Sequence, residues 1–355
     1  MAPISIGGRK IGPGEPCLIV AEVSANHHQK YEEAEAIVRA AKEAGADAVK
    51  LQTYTPDTMT IDSDKKWFYL GGENTPASWK KDNLYKLYGT AYTPWEWQPK
   101  LKKLAESLGL IFFSTPFDAT AVDFLEKMNV PCYKIASYEA TDIPLLKKVA
   151  STGKPVIISI GFAELSEAEE ALKTLRDSGT KDIAVLHCVT AYSDDPQPEN
   201  MNLRTIRDIA ERFGVVSGFS DNNAGIEVPI ASVYAGASII EKHLILDRKA
   251  GGPDARFSIE PAELKALVDG VRHAEKALGM VHYGPINDDE KNYKTLRRSI
   301  FAVADIAEGE TFTEKNIRVI RPAYGLPPRE YERALGKKAS RPIERGEPLG
   351  HDSIG

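Results

Sequence analysis

The sequence has little cysteine, no long apolar run and no block of like charges, and each absence excludes a class of protein. Three cysteines among 355 residues are too few for a disulfide-rich scaffold. Cys17, Cys132 and Cys188 each lie inside an apolar run, where a thiol usually packs as a small hydrophobic group. We therefore expect reduced thiols and a reducing compartment.

No segment is apolar over the length that crosses a bilayer, and the first residues, MAPISIGGRK, contain no stretch that could act as a signal peptide. The 45 basic and 51 acidic residues give a formal net charge of −6 and are spread along the chain. Nucleic acid and membranes are therefore not expected as partners. The composition, with 42% apolar residues, predicts a globular protein of the cytoplasm.

Eight short runs of apolar and β-branched residues alternate with longer segments that have helical apolar spacing. Several of the longer segments end in the glycine that is typical of a helix C-terminus. Eight strand–helix units predict an α/β fold, a parallel (β/α)8 TIM barrel, with a doubly wound open sheet as the alternative. The predicted strands span residues 17–24, 48–54, 110–116, 132–137, 155–161, 183–189, 215–221 and 238–245.

Two segments depart from this repeat. Residues 55–97 form an insertion after the second strand that contains all four tryptophans and four tyrosines. A long loop at this place is typical of a functional cover. From about Pro285 the pattern changes to short β-like runs separated by turn residues. We predict a barrel domain over residues 1–284 and a small β-rich domain over residues 285–355.

Charged residues interrupt several of the apolar strands near their C-terminal ends, which is where catalytic groups lie in a barrel. Burying such a charge is unfavourable unless it is paired or used in function. The residues concerned are Glu22, Lys50, Lys134 and Glu241. The alternative is a lysine–glutamate network that only fixes the barrel.

Two lysines close to serines, together with the glycine that ends ISIG, predict a pocket for a phosphate or a carboxylate. Lys50 or Lys134 could instead form a Schiff base with a carbonyl, and their spacing does not separate the two uses. His243 lies two residues after Glu241 and is a candidate metal ligand or general base. A hydrogen-bonded structural histidine is an equal alternative at this position.

At these residues the chain resembles the sialic acid synthase family over nearly its whole length. Two segments, TYTPD and LYKLYGTAYTPWEW, point within that family to its pseudaminic branch. The last part resembles the family's antifreeze-like (SAF) domain. The matching segments are AEVSANH at 21–27, DAVKLQTYTPD at 47–57, LYKLYGTAYTPWEW at 84–97, FSTPFDATAVDFLE at 113–126, YKIASYEATDIPLL at 133–146, SDN at 220–222, IIEKHLILDR at 239–248, PDARFS at 253–258, RRSIFAVADI at 297–306 and IRVIRPAYGL at 317–326.

The resemblance implies an enzyme that condenses phosphoenolpyruvate with the open-chain aldehyde of an acetamido sugar. The products would be a nine-carbon 2-keto acid and phosphate. For the pseudaminic branch the sugar is 2,4-diacetamido-2,4,6-trideoxy-altrose. N-acetylmannosamine or a legionaminic acid precursor is the alternative acceptor. A catalytically silent sugar-binding homologue is an alternative of another class.

The resemblance also implies roles for particular residues. Glu22 would be the acid and base that handles water or the new hydroxyl, and Glu139, Glu241 and Asp254 would complete the catalytic set. The anionic substrate would be held by Lys50, Lys134, Ser137, Ser159 and Ser220. Further substrate contacts are expected from Gln52, Thr115 and Tyr192.

In the family, a divalent metal such as Mn²⁺ or Mg²⁺ is held by two histidines. His243 matches one of them, and Asn222 stands where the other is expected. An asparagine can offer a carbonyl oxygen to a hard cation, although imidazole is the stronger ligand for Mn²⁺. Two further departures from the family pattern are Ile160 and Ser193.

The SAF domain of the family is exchanged between the subunits of a homodimer, where one of its arginines reaches the sugar site of the other subunit. Arg321 matches that arginine. The resemblance therefore predicts a domain-swapped homodimer, and Arg321 is expected in the substrate site.

Overall fold

The computed structural model describes residues 2–71, 79–80, 82–190, 192–193 and 195–355, which form two compact units, Met1–Gly279 and Met280–Gly355. The predicted domain boundary after residue 284 stays a prediction. Residues 72–78 and 81 of the predicted insertion lie outside the described residues. Over the described part of the chain, no helix has the length and apolarity needed to cross a bilayer.

Within the described residues of the first unit, a short hairpin precedes eight parallel strands that close into a barrel. The predicted (β/α)8 barrel is thus confirmed, and each predicted strand segment contains a strand. The hairpin is β1 (Ile4–Ile6) and β2 (Arg9–Ile11), and the barrel strands are β3 (Leu18–Glu22), β4 (Ala48–Thr53), β5 (Ile111–Pro116), β6 (Tyr133–Ile135), β7 (Val156–Ser159), β8 (Ile183–Val189), β9 (Val216–Asp221) and β10 (Ile239–His243).

Helices follow the strands and pack their apolar faces on the outside of the barrel. In the first helix, Ala34, Ile37, Val38 and Ala41 are buried at helical spacing, and Gly45, at φ 91°, ends the helix in the left-handed conformation. The helices are α1 (Tyr31–Ala44), α2 (Pro56–Met59), α3 (Leu84–Ala91), α4 (Gln98–Ser107), α5 (Ala119–Lys127), α6 (Ile143–Ala150), α7 (Leu165–Asp177), α8 (Arg204–Phe213), α9 (Glu227–Tyr234) and α10 (Pro261–Leu278).

The interior of the barrel has an apolar lower half and a polar upper half. Leu18 and Val20 pack inside with the hairpin residues Ile4, Ile6 and Ile11, which close the lower end. The intervening residues of β3 pack outward against the helices instead. Because alternate residues of a strand share a face, the polar residues at the upper ends of the strands continue the inward-facing rows.

One glycine is required by the packing of this interior. A Cβ on Gly218 of β9 would lie 2.4 Å from the carbonyl oxygen of Ile239 and 2.6 Å from Leu186 Cδ2. Both distances are well below van der Waals contact, so a larger residue would push β9 away from β10. Gly218 therefore keeps these two strands close, and both of them carry site residues.

Strand β6 is shorter than the sequence predicts. The chain leaves the sheet after Ile135 and makes one turn of 3₁₀ helix, Ser137–Glu139. This turn, and not the strand, carries Ser137 and Glu139. Lys134 remains on the strand and faces the interior.

The second unit contains a small antiparallel sheet, as predicted for a β-rich domain. Strand β11 (Ser299–Ala302) pairs with β12 (Ile317–Ile320), and isolated bridges such as Ile306 to Ile343 extend the pairing. Its core contains Ile300, Phe312 and Leu349. The helices of this unit are α11 (Asp288–Tyr293) and α12 (Tyr331–Ala334).

Candidate active site

A cavity of about 550 Å³ opens at the C-terminal ends of the barrel strands. This is the end of a parallel barrel where loops after the strands converge and where active sites are built. Inward-facing residues of β4, β6, β7, β9 and β10 form its floor, and residues of the insertion after β4 contribute to its wall.

Two lysines and two glutamates form a buried charge cluster at this floor. Lys50 Nζ lies 2.7 Å from Glu22 Oε2 and 3.3 Å from Glu241 Oε1. Lys134 Nζ lies 3.8 Å from the same oxygen of Glu241. The four side chains are at most 6% exposed. Two positive and two negative charges therefore compensate one another where water cannot.

Burial and neighbouring charges together set the ionisation of this cluster. Burial raises the pKa of Glu22 to about 7, although Lys50 opposes the shift. Burial also acts to raise the pKa of Glu241, but Lys134 and Lys50 outweigh it and the net shift is downward. Burial lowers the pKa of Lys134. For Lys50, the carboxylates of Glu22 and Glu241 outweigh burial and raise the pKa.

Hydroxyl groups surround the two ammonium groups. Lys134 Nζ donates to Ser159 Oγ at 2.7 Å, and Lys50 Nζ donates to Thr115 Oγ1 at 3.2 Å. Ser220 Oγ donates to Glu241 Oε1 at 3.2 Å. Ser137 Oγ accepts from the backbone N–H of Gly161 at 3.1 Å. The floor thus combines ammonium, hydroxyl and amide groups, the donor set that binds phosphate and carboxylate oxygens.

A chain of hydrogen bonds runs from Glu22 to the loop after β10. Gln52 Nε2 donates to Glu22 Oε1 at 3.1 Å and to Ser24 Oγ at 2.9 Å. Ser24 Oγ donates in turn to Asp254 Oδ2, which also accepts from the backbone N–H of Ala25. Burial raises the pKa of Asp254, and the bond from Ser24 opposes that shift. Ser24 thereby holds Asp254 at the edge of the cavity.

One side of the cavity is aromatic. The ring of Tyr192 lies 5.1 Å from that of Trp79 and 5.0 Å from that of Phe257. Trp79 Nε1 donates to the carbonyl oxygen of Pro253, which ties the insertion to the loop after β10. On the other side, burial raises the pKa of Glu139 to about 7.

His243 is the last residue of β10, and Asn222 directly follows β9. They lie at the same level because the residues before them, Lys242 and Asp221, pair in the sheet. Burial lowers the pKa of His243 to about 3, so its imidazole is neutral, and its Nδ1 is buried without a hydrogen-bond partner among the described residues. Asn222 Nδ2 donates to Cys188 Sγ at 3.4 Å, which leaves its carbonyl oxygen as the atom that would bind a cation.

The imidazole of His243 and the amide oxygen of Asn222 fit a divalent cation for which the protein would supply only part of the ligands. Neutral imidazole and amide oxygen both suit Mn²⁺ or Mg²⁺ at a site completed by water or substrate. Over the residues that the structure describes, no cluster of three histidine, cysteine or carboxylate side chains could hold a metal by itself. His243 and Asn222 are the residues whose free donor atoms would suit such a cation.

The cavity brings together most of the residues that the sequence singles out. Glu22 and Thr115 do not line it, although both contact Lys50. Arg321 lies in the second unit and is exposed, so it is not among the lining residues. Those that line the cavity are Lys50, Gln52, Lys134, Ser137, Glu139, Ser159, Tyr192, Ser220, Asn222, Glu241, His243 and Asp254.

Sequence reasoning missed most of the cavity wall. Tyr54, Tyr88 and Tyr138 line the cavity, as do apolar residues such as Met59 and Leu87. The aromatic content of the insertion was the available signal, but it does not say which rings face inward. Trp67, for example, is 72% exposed, whereas Trp79 lines the cavity.

Comparisons with known proteins identify the family of the chain. The NeuB family model matches residues 37–283, and the SAF domain model matches residues 297–354. Pseudaminic acid synthases from Campylobacter jejuni and Helicobacter pylori are 41% and 42% identical to the chain over 333 and 346 residues. These matches cover 93% and 96% of this chain and 94% and 98% of the relatives.

A solved structure also matches, that of an N-acetylneuraminic acid (sialic acid) synthetase from Leptospira borgpetersenii in complex with citrate. It is 31% identical, has a TM-score of 0.71, and the match covers 82% of this chain and 94% of that chain. The predicted family resemblance and enzyme class are confirmed by these matches. The family model covers more than half of the chain, and relatives above 40% identity cover nearly all of it. The chain therefore belongs to the NeuB family of nonulosonic acid synthases.

Proposed function

We propose that the protein condenses phosphoenolpyruvate with the open-chain aldehyde of 2,4-diacetamido-2,4,6-trideoxy-altrose. The products are a nine-carbon 2-keto acid of the pseudaminic type and phosphate. The observation that carries the proposal is the pair of buried ammonium groups, Lys50 and Lys134, at the floor of a cavity whose upper wall is aromatic.

The floor suits phosphoenolpyruvate because it offers charged donors to both of its anionic groups. Without substrate, Lys50 and Lys134 are compensated by Glu22 and Glu241. A bound phosphate or carboxylate replaces part of that compensation and accepts further hydrogen bonds from the hydroxyl groups around the lysines. The proposed phosphate and carboxylate ligands are Lys50, Lys134, Ser137, Ser159 and Ser220, with Gln52 and Thr115 in support.

The chemistry proceeds without a covalent enzyme intermediate. The C3 carbon of the enol attacks the aldehyde carbon, whose oxygen takes up a proton and becomes the new hydroxyl. Positive charge develops at C2, where the carboxylate of Glu241 stabilises it electrostatically. Water adds to C2, loses a proton, and the resulting tetrahedral intermediate expels phosphate by cleavage of its C2–O bond. The C2 carbon becomes the ketone of the product.

Glu22 is suited to the proton transfers of this sequence. With a pKa raised to about 7, it is present in both protonation states near neutral pH, as a general acid and base must be. Glu139 shares that property, and Asp254 is held at the cavity edge by Ser24. We propose Glu22, Glu139, Glu241 and Asp254 as the catalytic carboxyl groups.

A divalent metal held by His243 and Asn222 would polarise the aldehyde oxygen when bound. His243 keeps its imidazole neutral through burial, and Asn222 is oriented by its bond to Cys188. Both side chains face the cavity on the strand ends next to Glu241.

The aromatic wall supports an acceptor with apolar substituents. Trp79, Tyr192 and Tyr138 line the cavity and supply aromatic surface for a C6 methyl group and for acetamido methyl groups. N-acetylmannosamine, which carries a hydroxyl at C6, and a legionaminic acid precursor remain the alternative acceptors. The pseudaminic acid synthases among the relatives, at 41% and 42% identity, favour the first choice.

The Schiff-base alternative finds less support in the geometry. A lysine must be neutral to attack a carbonyl. Glu22 and Glu241 raise the pKa of Lys50 and so keep it charged. Lys134 has a lowered pKa, but its Nζ already donates to Ser159 Oγ and to the carbonyl oxygen of Ile135.

The proposal includes a homodimer of cytoplasmic subunits in which Arg321 of one subunit completes the sugar site of the other. Arg321 is exposed on the second unit, where such a contact is open to it. The thiols of Cys17, Cys132 and Cys188 are free and buried, in keeping with a reducing compartment.

The proposed function is tested by phosphate release from phosphoenolpyruvate with a panel of acceptors in the presence of Mn²⁺. We expect kcat/KM for the 2,4-diacetamido-2,4,6-trideoxy-altrose aldehyde to exceed that for N-acetylmannosamine by about tenfold or more. One or two additional apolar contacts in the transition state typically produce a ratio of this size. A reversed preference would reject the acceptor. Absence of phosphate release with every sugar would support the silent-homologue alternative.

Replacing Lys50 or Lys134 by Met should weaken phosphoenolpyruvate binding at least about 30-fold, because truncating one partner of a buried charge pair typically removes 2 kcal/mol or more. Calorimetry measures the affinity, and circular dichroism verifies the fold. Lys154→Met is the matched control, since Lys154 pairs with Glu126 outside the barrel. Unchanged affinity in both site variants contradicts the anion pocket. Borohydride treatment with the keto product should trap no lysine adduct.

Replacing Asn222 by His should tighten Mn²⁺ binding on the order of tenfold, about 1.4 kcal/mol, because imidazole is a stronger ligand than an amide oxygen. Electron paramagnetic resonance titration of the protein with Mn²⁺ alone measures the affinity. Asn200→His, at an exposed position, is the control. The metal role is rejected if Asn222→His gains nothing and the chelated wild type retains full turnover.

Mixing Glu22→Gln and Arg321→Ala chains should restore about a quarter of the wild-type activity after subunit exchange. Half of the random dimers are mixed, and each mixed dimer has one site with both residues intact. A mixture of Glu22→Gln with Lys50→Met serves as the control. Every chain in that mixture has a defective barrel, so no mixed dimer contains an intact site and no activity should return. No recovery despite demonstrated exchange would place Arg321 in its own subunit's site or outside any site.

A further inference from the structure

A second buried ion pair lies directly behind the site and takes no part in the proposed chemistry. Lys242 Nζ is 2.7 Å from Asp221 Oδ2, and the two side chains are 0% and 1% exposed. Lys242 stands between the inward-facing Glu241 and His243, so it points away from the cavity. Asp221 stands likewise between Ser220 and Asn222. The pair therefore joins β9 and β10 on the outer face of the barrel.

This pair holds the backbone on both sides of Asn222. Lys242 Nζ donates to the carbonyl oxygen of Asn223 as well as to Asp221. Asp221 Oδ1 accepts from the backbone N–H of Asn223 at 3.1 Å and from its side-chain amide at 3.0 Å. The residue before Asn222 and the residue after it are thus fixed by the same two charges.

The network continues into the loop after β8. Asn223 Nδ2 donates to the carbonyl oxygen of Val189, and Asn223 Oδ1 accepts from the backbone N–H of Ser193, both at 3.4 Å. The N–H of Ala224 donates to the carbonyl oxygen of Ser193 at 2.8 Å. The two anchored residues, Val189 and Ser193, lie on either side of Tyr192.

Tyr192 needs such support because its backbone is in the left-handed region, at φ 48°. A bulky residue reaches that region only when surrounding contacts impose it. The side chain that results is the one that packs between Trp79 and Phe257 in the aromatic wall. The loop bonds to Asn223 supply part of that constraint.

We propose that Lys242 and Asp221 are positioning residues that set Asn222 and Tyr192, and with them the acceptor half of the site. The inference rests on the proposed function, in which Asn222 contacts the metal and Tyr192 the sugar. The charges that would bind phosphoenolpyruvate, Lys50 and Lys134, lie on β4 and β6, which this pair does not join. Ser220 and Glu241 precede Asp221 and Lys242 in sequence, but they pair with each other in the β9–β10 ladder and do not depend on the loop bonds. The network therefore acts mainly on the acceptor half of the site.

If Lys242 and Asp221 only stabilised the fold, replacing both together should leave substrate and metal binding unchanged. A buried ion pair contributes little net stability when both charges are replaced together, whereas removing one partner leaves an uncompensated charge. The test variant is therefore the double change Asp221→Asn with Lys242→Met. It is similar in volume, contains no charge, and has lost the bond from Lys242 to Asn223.

For the double variant we expect the KM for the acceptor sugar and the Kd for Mn²⁺ alone to rise about 10- to 100-fold, the range typical of lost support behind a metal ligand. The Kd for phosphoenolpyruvate should stay within about twofold of the wild type. Asp123→Asn with Lys148→Met is the control for loss of charge alone, since that pair of 2.6 Å is exposed and lies away from β9 and β10. Asn223→Ala, which leaves the ion pair in place, is the second variant if the first does not fold.

A lower melting temperature with all three constants unchanged would overturn the proposal, and so would an equal weakening of all three. Asn222→Ala distinguishes this failure from failure of the proposed function. If Asn222→Ala weakens Mn²⁺ binding but the double variant does not, the positioning role is rejected. If neither variant changes Mn²⁺ binding while the acceptor KM rises in the double variant, the metal assignment fails and the positioning of Tyr192 is supported.

Discussion

The compensation of charge inside the barrel is the constraint on which the rest of the site depends. Lys50, Lys134, Glu22 and Glu241 lie where water is excluded, and the interior tolerates the charges of the two lysines only because the two carboxyl groups lie beside them. Removing any one of them would leave an excess charge. The cluster therefore behaves as a unit, because a change in one member alters the charge balance of the other three. In the proposed function, a substrate anion would replace part of the compensation that the carboxylates provide.

The barrel makes this arrangement possible by separating its interior into layers. The hairpin β1–β2 closes the lower end with isoleucines, and the apolar residues of the strands pack onto it. That half supplies the hydrophobic burial that stabilises the fold. The upper half can then be polar. Gly218 shows how closely the layers fit, since even a methyl group there would collide with the neighbouring strand.

Charged residues of β9 and β10 lie on both faces of the sheet, and the two sets have different partners. The inner charges of Glu241 and its lysine partners face the cavity. The outer pair, Lys242 and Asp221, faces the helices and reaches the loop backbone. Alternation along two neighbouring strands thus places one set of charges in the cavity and another against the loop backbone, and these two sets carry the proposed chemical and positioning roles.

The sequence by itself determined the barrel, the β-rich second unit and most of the residues on the cavity floor. The period of two along each strand and the burial cost of charge are local properties, so Lys50, Lys134 and Glu241 could be recognised before their partners were known. The partners themselves were decided only by tertiary structure. Which glutamate compensates which lysine, that Ser137 and Glu139 lie on a turn beyond a shortened β6, and which insertion rings face the cavity all depend on contacts between distant segments. The outer pair of Lys242 and Asp221 was likewise invisible in sequence, because only the closed barrel places those two charges side by side.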